Sequence, residues 1–178
     1  MLEKSYKEYL QHITTFVFDV DGVLTDGTVL VNTDGALLRN MNIKDGFALK
    51  TAIDKGYNLC VISGGSNEGV RKRLEGLGVM EVHLGTHHKI GTLETYFSKH
   101  NIKPENVLYM GDDLPDYTVM KMVGLPCCPQ DAVPEIKQIS KYISHKKGGK
   151  GCVRDVIEQV LKVQGKWFSG GDASAKEG

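Results

Sequence analysis

The sequence predicts an α/β protein built on a Rossmann-like parallel sheet with helices on both faces. Two observations predict it. Short apolar runs of strand length alternate with helical patterns along the chain, and the polar, carboxylate-bearing stretches fall at the ends of those runs. In such sheets ligands bind beyond the carboxyl ends of the strands, near the topological switch point, so those ends are where chemistry is expected.

Residues 13–18 (ITTFVF) read as a buried strand and residues 57–62 (YNLCVI) as a second. Residues 81–84 form a weaker third, 106–110 (NVLYM) a fourth and 124–127 a short fifth. Helical patterns lie between and after them, at 46–55, 67–77, 89–100, 115–122 and 154–163. One segment breaks the alternation. Residues 28–31 and 36–41 are strand-like and flank Asn32-Thr33-Asp34-Gly35, and Asp-Gly at a tight turn signals a hairpin, here 27–41. The chain reads as a single domain over 1–168. A polar, glycine-rich tail at 169–178 is expected to be disordered.

Composition narrows the function classes. The chain has 178 residues, 40% hydrophobic and 25% charged, which suits one soluble globular domain. Lys+Arg and Asp+Glu are 22 each, and this balance lacks the basic excess of a general nucleic-acid binder. No run of 18 apolar residues is present, and the first residues, MLEKSYKEYLQH, lack a signal-peptide stretch. Cys60, Cys127, Cys128 and Cys152 lack metal-site spacing and read as reduced, buried thiols. The expectation is a cytoplasmic protein.

After the first strand come Asp19 and Asp21; after the second, Ser63 and Gly64; after the third, Lys89 opens a helix; after the fourth come Asp112, Asp113 and Asp116. Gathering these carboxylates on one edge has an electrostatic consequence. Two like charges about 4 Å apart repel by about 4 kcal/mol at an effective dielectric near 20, so the cluster needs protons or a cation. Hard oxygen ligands without His or Cys point to Mg²⁺. Ser63 at a strand-to-helix turn offers a hydroxyl and nearby amides to an anion, and Lys89 adds positive charge. The combination is a phosphate site beside a spare carboxylate. An aspartate there can attack phosphorus and split one slow hydrolysis into two steps. Asp21, two residues on, can protonate the leaving alcohol and later deprotonate water.

In order and strand placement these residues resemble the haloacid dehalogenase superfamily of phosphohydrolases. FDVDGVLTDG at 18–27 is similar to its first motif, Ser63 to its second, Lys89 to its third and GDDLPD at 111–116 to its fourth. The resemblance implies Asp19 as nucleophile and metal ligand, and Asp21 as acid/base with its backbone carbonyl on Mg²⁺. It implies Asp112 as the further metal ligand, Asp113 and Asp116 as supports of the metal shell or of Lys89, and Ser63, Gly64 and Lys89 as holders of phosphate. Forty-four residues separate Asp19 from Ser63 and twenty-six separate Ser63 from Lys89, too few for a cap domain of usual size, so the chain looks like the capless branch. Within that branch DGVLTDG, the hairpin, Lys44-Asp45-Gly46, VRKRLEGLGV and the glycine-rich 147–154 resemble the phosphatases of 3-deoxy-D-manno-octulosonate 8-phosphate. These enzymes make a free sugar acid for lipopolysaccharide. The relatives acting on 2-keto-3-deoxynononate 9-phosphate share nearly all these features. Octulosonate enzymes usually carry arginine after the second-motif glycine and the nononate relatives glutamate; this chain has Gly65.

The resemblance further implies a homotetramer whose hairpins pack together, with a neighbour covering each open site and the glycine-rich segment in a tail reaching towards one. Arg73 stands at a position that would meet the sugar carboxylate, in its own site or in a neighbouring subunit's. Thr25 reads equally as a substrate contact or as a loop hydrogen bond, and Asp26 as a turn residue. His87 and His88 are expected to begin the helix opened by Lys89. Two readings of other classes compete: a phosphoaspartyl receiver domain and a catalytically silent binding module. A receiver takes phosphate at a lone aspartate after its third strand, whereas here DxD follows the first. The intact set Asp19, Asp21, Lys89 and Asp112 speaks against a silent module.

Overall fold

The computed structural model describes residues 5–168. In chain order its elements are α1 (Tyr6–Leu10), β1 (Thr15–Phe18), β2 (Leu30–Val31), β3 (Leu37–Leu38), α2 (Ile43–Asp54), β4 (Asn58–Ile62), α3 (Glu68–Gly76), β5 (Glu81–His83), α4 (Lys89–His100), β6 (Val107–Met110), α5 (Tyr117–Met120), β7 (Leu125–Cys128), α6 (Pro134–Ile139), β8 (Tyr142–Ile143) and α7 (Cys152–Val163). Six strands form one parallel sheet in the order β5-β4-β1-β6-β7-β8. The strands after β1 step outward on one side, then the chain crosses through α4 to β6 on the other. That places the switch point at β1, as the alternation of elements predicts.

Successive side chains point to opposite faces of a strand, and the two cores follow that period. Phe16, Phe18, Leu59, Val61, Leu108 and Met110 face a cluster closed by α2, α3 and α7. Val17, Cys60, Ile62, Val107 and Tyr109 face a second cluster closed by α4, α5 and α6. Sheet residues buried on both faces explain why the strands read as continuous apolar runs. All four cysteines are free and buried, and burial pushes the Cys60 thiol up, with Glu81 adding to the shift.

The hairpin is present but shorter than its sequence pattern: β2 and β3 pair antiparallel over two residues each, joined through the Asn32–Gly35 turn, where Gly35 has φ 84°. Asn42 caps α2 by accepting from the Lys44 amide at 2.8 Å, so this helix begins three residues before the predicted 46. The helix predicted over 115–122 is a short 3₁₀ turn (Leu114–Asp116) followed by α5. The tail at 169–178 lies outside the described residues.

Asp45, in the first turn of α2, reaches across to α7. It is 1% exposed, and its Oδ1 accepts from the Arg154 amide at 2.7 Å while Oδ2 has no partner. A carboxylate at a helix N-terminus is favoured by the exposed amides there. Burial nevertheless pushes its pKa up to about 6. The folded state therefore holds this proton more tightly than the unfolded chain, and its contribution to stability falls as pH rises from about 4 to about 6. Asp45→Asn is expected to flatten the decline of Tm across that window; an unchanged decline would contradict the assignment.

Candidate active site

Level strand ends bring the predicted residues together. Phe18 pairs in register with Val61 of β4 on one side and with Met110 of β6 on the other. Asp19 thus leaves the sheet one residue beyond β1's pairing, while Ser63 and Asp112 stand two residues beyond theirs. The Asp19 amide donates to the Met110 carbonyl at 3.1 Å, continuing the ladder into the site. Gly22 has φ 85°, and an added Cβ would overlap the Asp112 carboxylate, so the loop after β1 lies directly against the loop after β6 only because residue 22 is glycine.

These ends enclose an open cleft of about 500 Å³ lined by Asp19, Asp21, Ser63, Gly64, Lys89 and Asp112, with Asp113 at its rim. Thr86 and His87, just before α4, line it as well, as does Gly65. Carboxylate oxygens of Asp19, Asp112 and Asp116 lie within 4.8 Å of one another. Lys89, at the first position of α4 and 7% exposed, contacts Asp19 Oδ2 at 3.1 Å and Asp116 Oδ1 at 2.7 Å. Asp116 is fully buried. It also accepts from the Tyr109 hydroxyl at 2.8 Å and, through Oδ2, from the Asp112 amide at 3.2 Å. Both its oxygens are engaged by the protein, so Asp116 orients Lys89 and the Asp112 backbone, leaving Asp19 and Asp112 to face the cleft.

One lysine does not neutralise three carboxylates. Burial and the Asp116 charge push Asp19 up to about 8, against the opposing pull of Lys89 and the Val20 amide, which donates to Oδ1 at 2.7 Å. Burial, Asp116 and Asp113 push Asp112 up to about 7. The deficit of positive charge, together with an all-oxygen donor set, fits a hard divalent cation held by Asp19 and Asp112.

Ser63 is 3% exposed, and its Oγ accepts from the Gly65 amide at 3.2 Å. Asp113 caps the turn that follows it, accepting from the Leu114 amide at 2.8 Å. Thr25 is fully buried, and its Oγ1 accepts from the Gly22 and Gly27 amides, both at 3.3 Å. Of the two readings of Thr25, the structure has the loop hydrogen bond. Asp26 likewise closes a turn, accepting from the Thr28 amide at 3.1 Å. Arg73 is exposed on α3 and sits beside Gly46 outside the cleft. The glycine-rich segment braces the chain's own loop after β1: the Gly149 amide donates to the Val23 carbonyl at 2.9 Å, and a Cβ at Gly148 would overlap the Gly22 carbonyl. His88 precedes α4 as its N-cap residue.

Two partners of the site escape sequence reasoning. Arg39, at the foot of the hairpin, contacts both oxygens of Asp21, at 2.8 and 3.1 Å. The Asp21 carboxylate holds the Arg39 guanidinium above its ordinary range. Tyr109 sits in an apolar strand; the one available signal is that a buried tyrosine hydroxyl requires a partner.

Comparison with known proteins follows the same lines. The haloacid dehalogenase-like hydrolase family model matches residues 76–157. The 3-deoxy-D-manno-octulosonate 8-phosphate phosphatase of Salmonella typhi is 35% identical over 156 residues, 88% of this chain and 83% of its own. The Yersinia pestis phosphatase of the same name superposes with TM-score 0.89 at 30% identity, covering 92% of this chain and 88% of its own. The Moraxella catarrhalis enzyme, solved with magnesium, phosphate and the sugar acid, superposes with TM-score 0.87 at 32% identity, covering 90% and 92%.

Proposed function

The chain belongs to the 3-deoxy-D-manno-octulosonate 8-phosphate phosphatases, within the haloacid dehalogenase-like hydrolases, and from that premise we propose that it is a magnesium-dependent phosphomonoesterase that releases phosphate from 3-deoxy-D-manno-octulosonate 8-phosphate. The observation that carries this reading is the buried Lys89, paired at once with Asp19 and Asp116 at the floor of the cleft.

An ammonium group has three donors. Two of Lys89's meet Asp19 and Asp116, and the third serves an incoming phosphate oxygen together with the Ser63 hydroxyl and the Gly64 segment. An Asp19 oxygen forms a bond to phosphorus as the bond to the sugar oxygen breaks, and Asp21 gives its proton to that oxygen. Water then attacks the same phosphorus while Asp21 takes its proton, and the bond to Asp19 breaks to return the carboxylate and free phosphate. Asp19, Asp112 and the Asp21 backbone carbonyl would hold Mg²⁺, which when bound draws charge from the phosphate oxygens.

The hairpin exposes Val29, Leu30, Val31, Leu37 and Leu38 by 41–67%, an apolar surface suited to burial against other copies of this chain in a homotetramer. Among the described residues no helix is long and apolar enough to cross a membrane, and four free thiols suit the reducing cytoplasm.

Steady-state phosphate release tests the reading. The octulosonate 8-phosphate is expected to show a kcat/KM at least about tenfold above that for glucose 6-phosphate, since a site built for a carboxylated sugar leaves charged groups unpaired with a neutral one. EDTA is expected to stop turnover and Mg²⁺ to restore it. Indifference to the metal would overturn the mechanism. Preference for 2-keto-3-deoxynononate 9-phosphate would reassign the substrate and leave the chemistry intact.

A further inference from the structure

Arg39 contacts the carboxylate to which the phosphatase reading assigns proton transfer. Its Nε donates to Asp21 Oδ1 at 2.8 Å and its Nη2 to Oδ2 at 3.1 Å, while Nη1 donates to the Leu37 carbonyl at 3.1 Å. The arginine side chain is 9% exposed and that of Asp21 37% exposed, so a buried fork holds a carboxylate that faces the cleft. A planar guanidinium bound through two N–H groups fixes the rotation of the carboxylate plane as well as its position. Each carboxylate oxygen has two lone pairs, so the fork leaves one on each free for proton exchange. The frame behind Arg39 is tied down too: Asn67 donates to the same Leu37 carbonyl at 2.7 Å and caps α3 by accepting from the Val70 amide at 2.9 Å.

Residue 65 faces this pair. A Cβ there would stand 3.1 Å from Asp21 Oδ2 and 3.3 Å from Arg39 Nη2, tighter than ordinary contact. A side chain at 65 would press on the ion pair, whose tips would have to give by a few tenths of an ångström.

We propose that Arg39 is a positioning residue that clamps the Asp21 carboxylate in the orientation from which it exchanges protons with the sugar oxygen and with water, and that Gly65 leaves room beside the clamp. The inference rests on the phosphatase reading in which Asp21 carries the proton. It assigns to the hairpin a role inside its own chain's site and gives the glycine after Ser63-Gly64 a physical reason.

Leaving-group dependence separates a clamp from a merely structural ion pair. An alkoxide leaving from a sugar phosphate needs a proton in the transition state, whereas p-nitrophenolate does not. Because kcat/KM reports the steps up to cleavage of the ester, a misaligned Asp21 lowers it for sugar phosphates selectively. Damage to Asp19 or the phosphate site lowers it for both. In Arg39→Ala, kcat/KM for the octulosonate 8-phosphate is expected to fall about 10- to 100-fold, mostly in kcat, and at least about tenfold more than for p-nitrophenyl phosphate. Arg39→Lys, which keeps the charge without the fork, should recover part of the loss. Gly65→Ala should reproduce the selective loss yet add none in the Arg39→Ala background, a coupling read by the double-mutant cycle.

Equal losses on both substrates, or no loss on the sugar phosphate, would overturn the clamp. If Arg39→Ala does not fold, Arg39→Lys decides, and sugar-phosphate turnover in it that is undiminished, or diminished no more than turnover of p-nitrophenyl phosphate, overturns the proposal. Asp21→Asn run alongside keeps the two readings apart. Indifference of that variant would overturn Asp21's role, and the clamp with it. A selective loss there with a uniform loss in Arg39→Ala would overturn the clamp alone.

Discussion

Replacing Asp19 with asparagine should reduce phosphate release by at least about 10⁴-fold, since it removes the group proposed to form the covalent bond. The fold should survive the change. Asp19 is buried and pushed up to about 8, so its ionised form opposes folding. With its folded pKa above the ordinary 3.8, its contribution to stability declines as pH rises through that interval. Metal-free Asp19→Asn is therefore expected to melt no lower than metal-free wild type at pH 8. Circular dichroism melts and a phosphate-release assay check both halves. Turnover near the wild-type rate would remove the nucleophile, and a collapsed fold would contradict the electrostatic account.

Lys89→Met should act on both stability and chemistry. Lys89 is the cation paired with Asp116, which is fully buried, and with Asp19. Removing one partner of a buried pair leaves an uncompensated charge and costs about 3–5 kcal/mol. The loss should shrink at low pH, where the orphaned carboxylates can take protons, and turnover should vanish at every pH. Urea denaturation at pH 5 and pH 8 measures the difference. A loss below about 0.5 kcal/mol at pH 8 would show that the pair does not hold the site together.

Much of this site is legible in the sequence. Asp19, Ser63 and Asp112 follow apolar runs whose strand character is strong, and a parallel sheet brings all such ends to one edge. Lys89 was legible as the opening residue of a helix after β5. The hairpin was legible because Asp34-Gly35 lies between apolar runs. What escaped depends on contacts far apart in sequence. Arg39 meets Asp21 only because the hairpin folds back over the loop after β1, and nothing in the pattern around residue 39 indicates its partner. Gly148 closes on Gly22 across more than a hundred residues. The glycine-rich pattern is plain in the sequence, but that it braces the chain's own loop after β1 is a packing that composition does not encode. Thr25 shows a different limit. Both its readings need only a hydroxyl near a turn, and the fold separates them by burying the side chain against the Gly22 and Gly27 amides. The two-residue β8 and the short α1 and α6 lack enough periodicity to be read at all.

The nucleophilic role of Asp19 is tested most directly by trapping. Asp21→Asn, mixed with p-nitrophenyl phosphate and Mg²⁺ and quenched in acid, should carry one phosphoryl group on the peptide containing Asp19, because departure of p-nitrophenolate needs no proton while hydrolysis of the phosphoenzyme does. A phosphoryl group on Ser63, or p-nitrophenol released in the first turnover from protein that never carries phosphate, would contradict it.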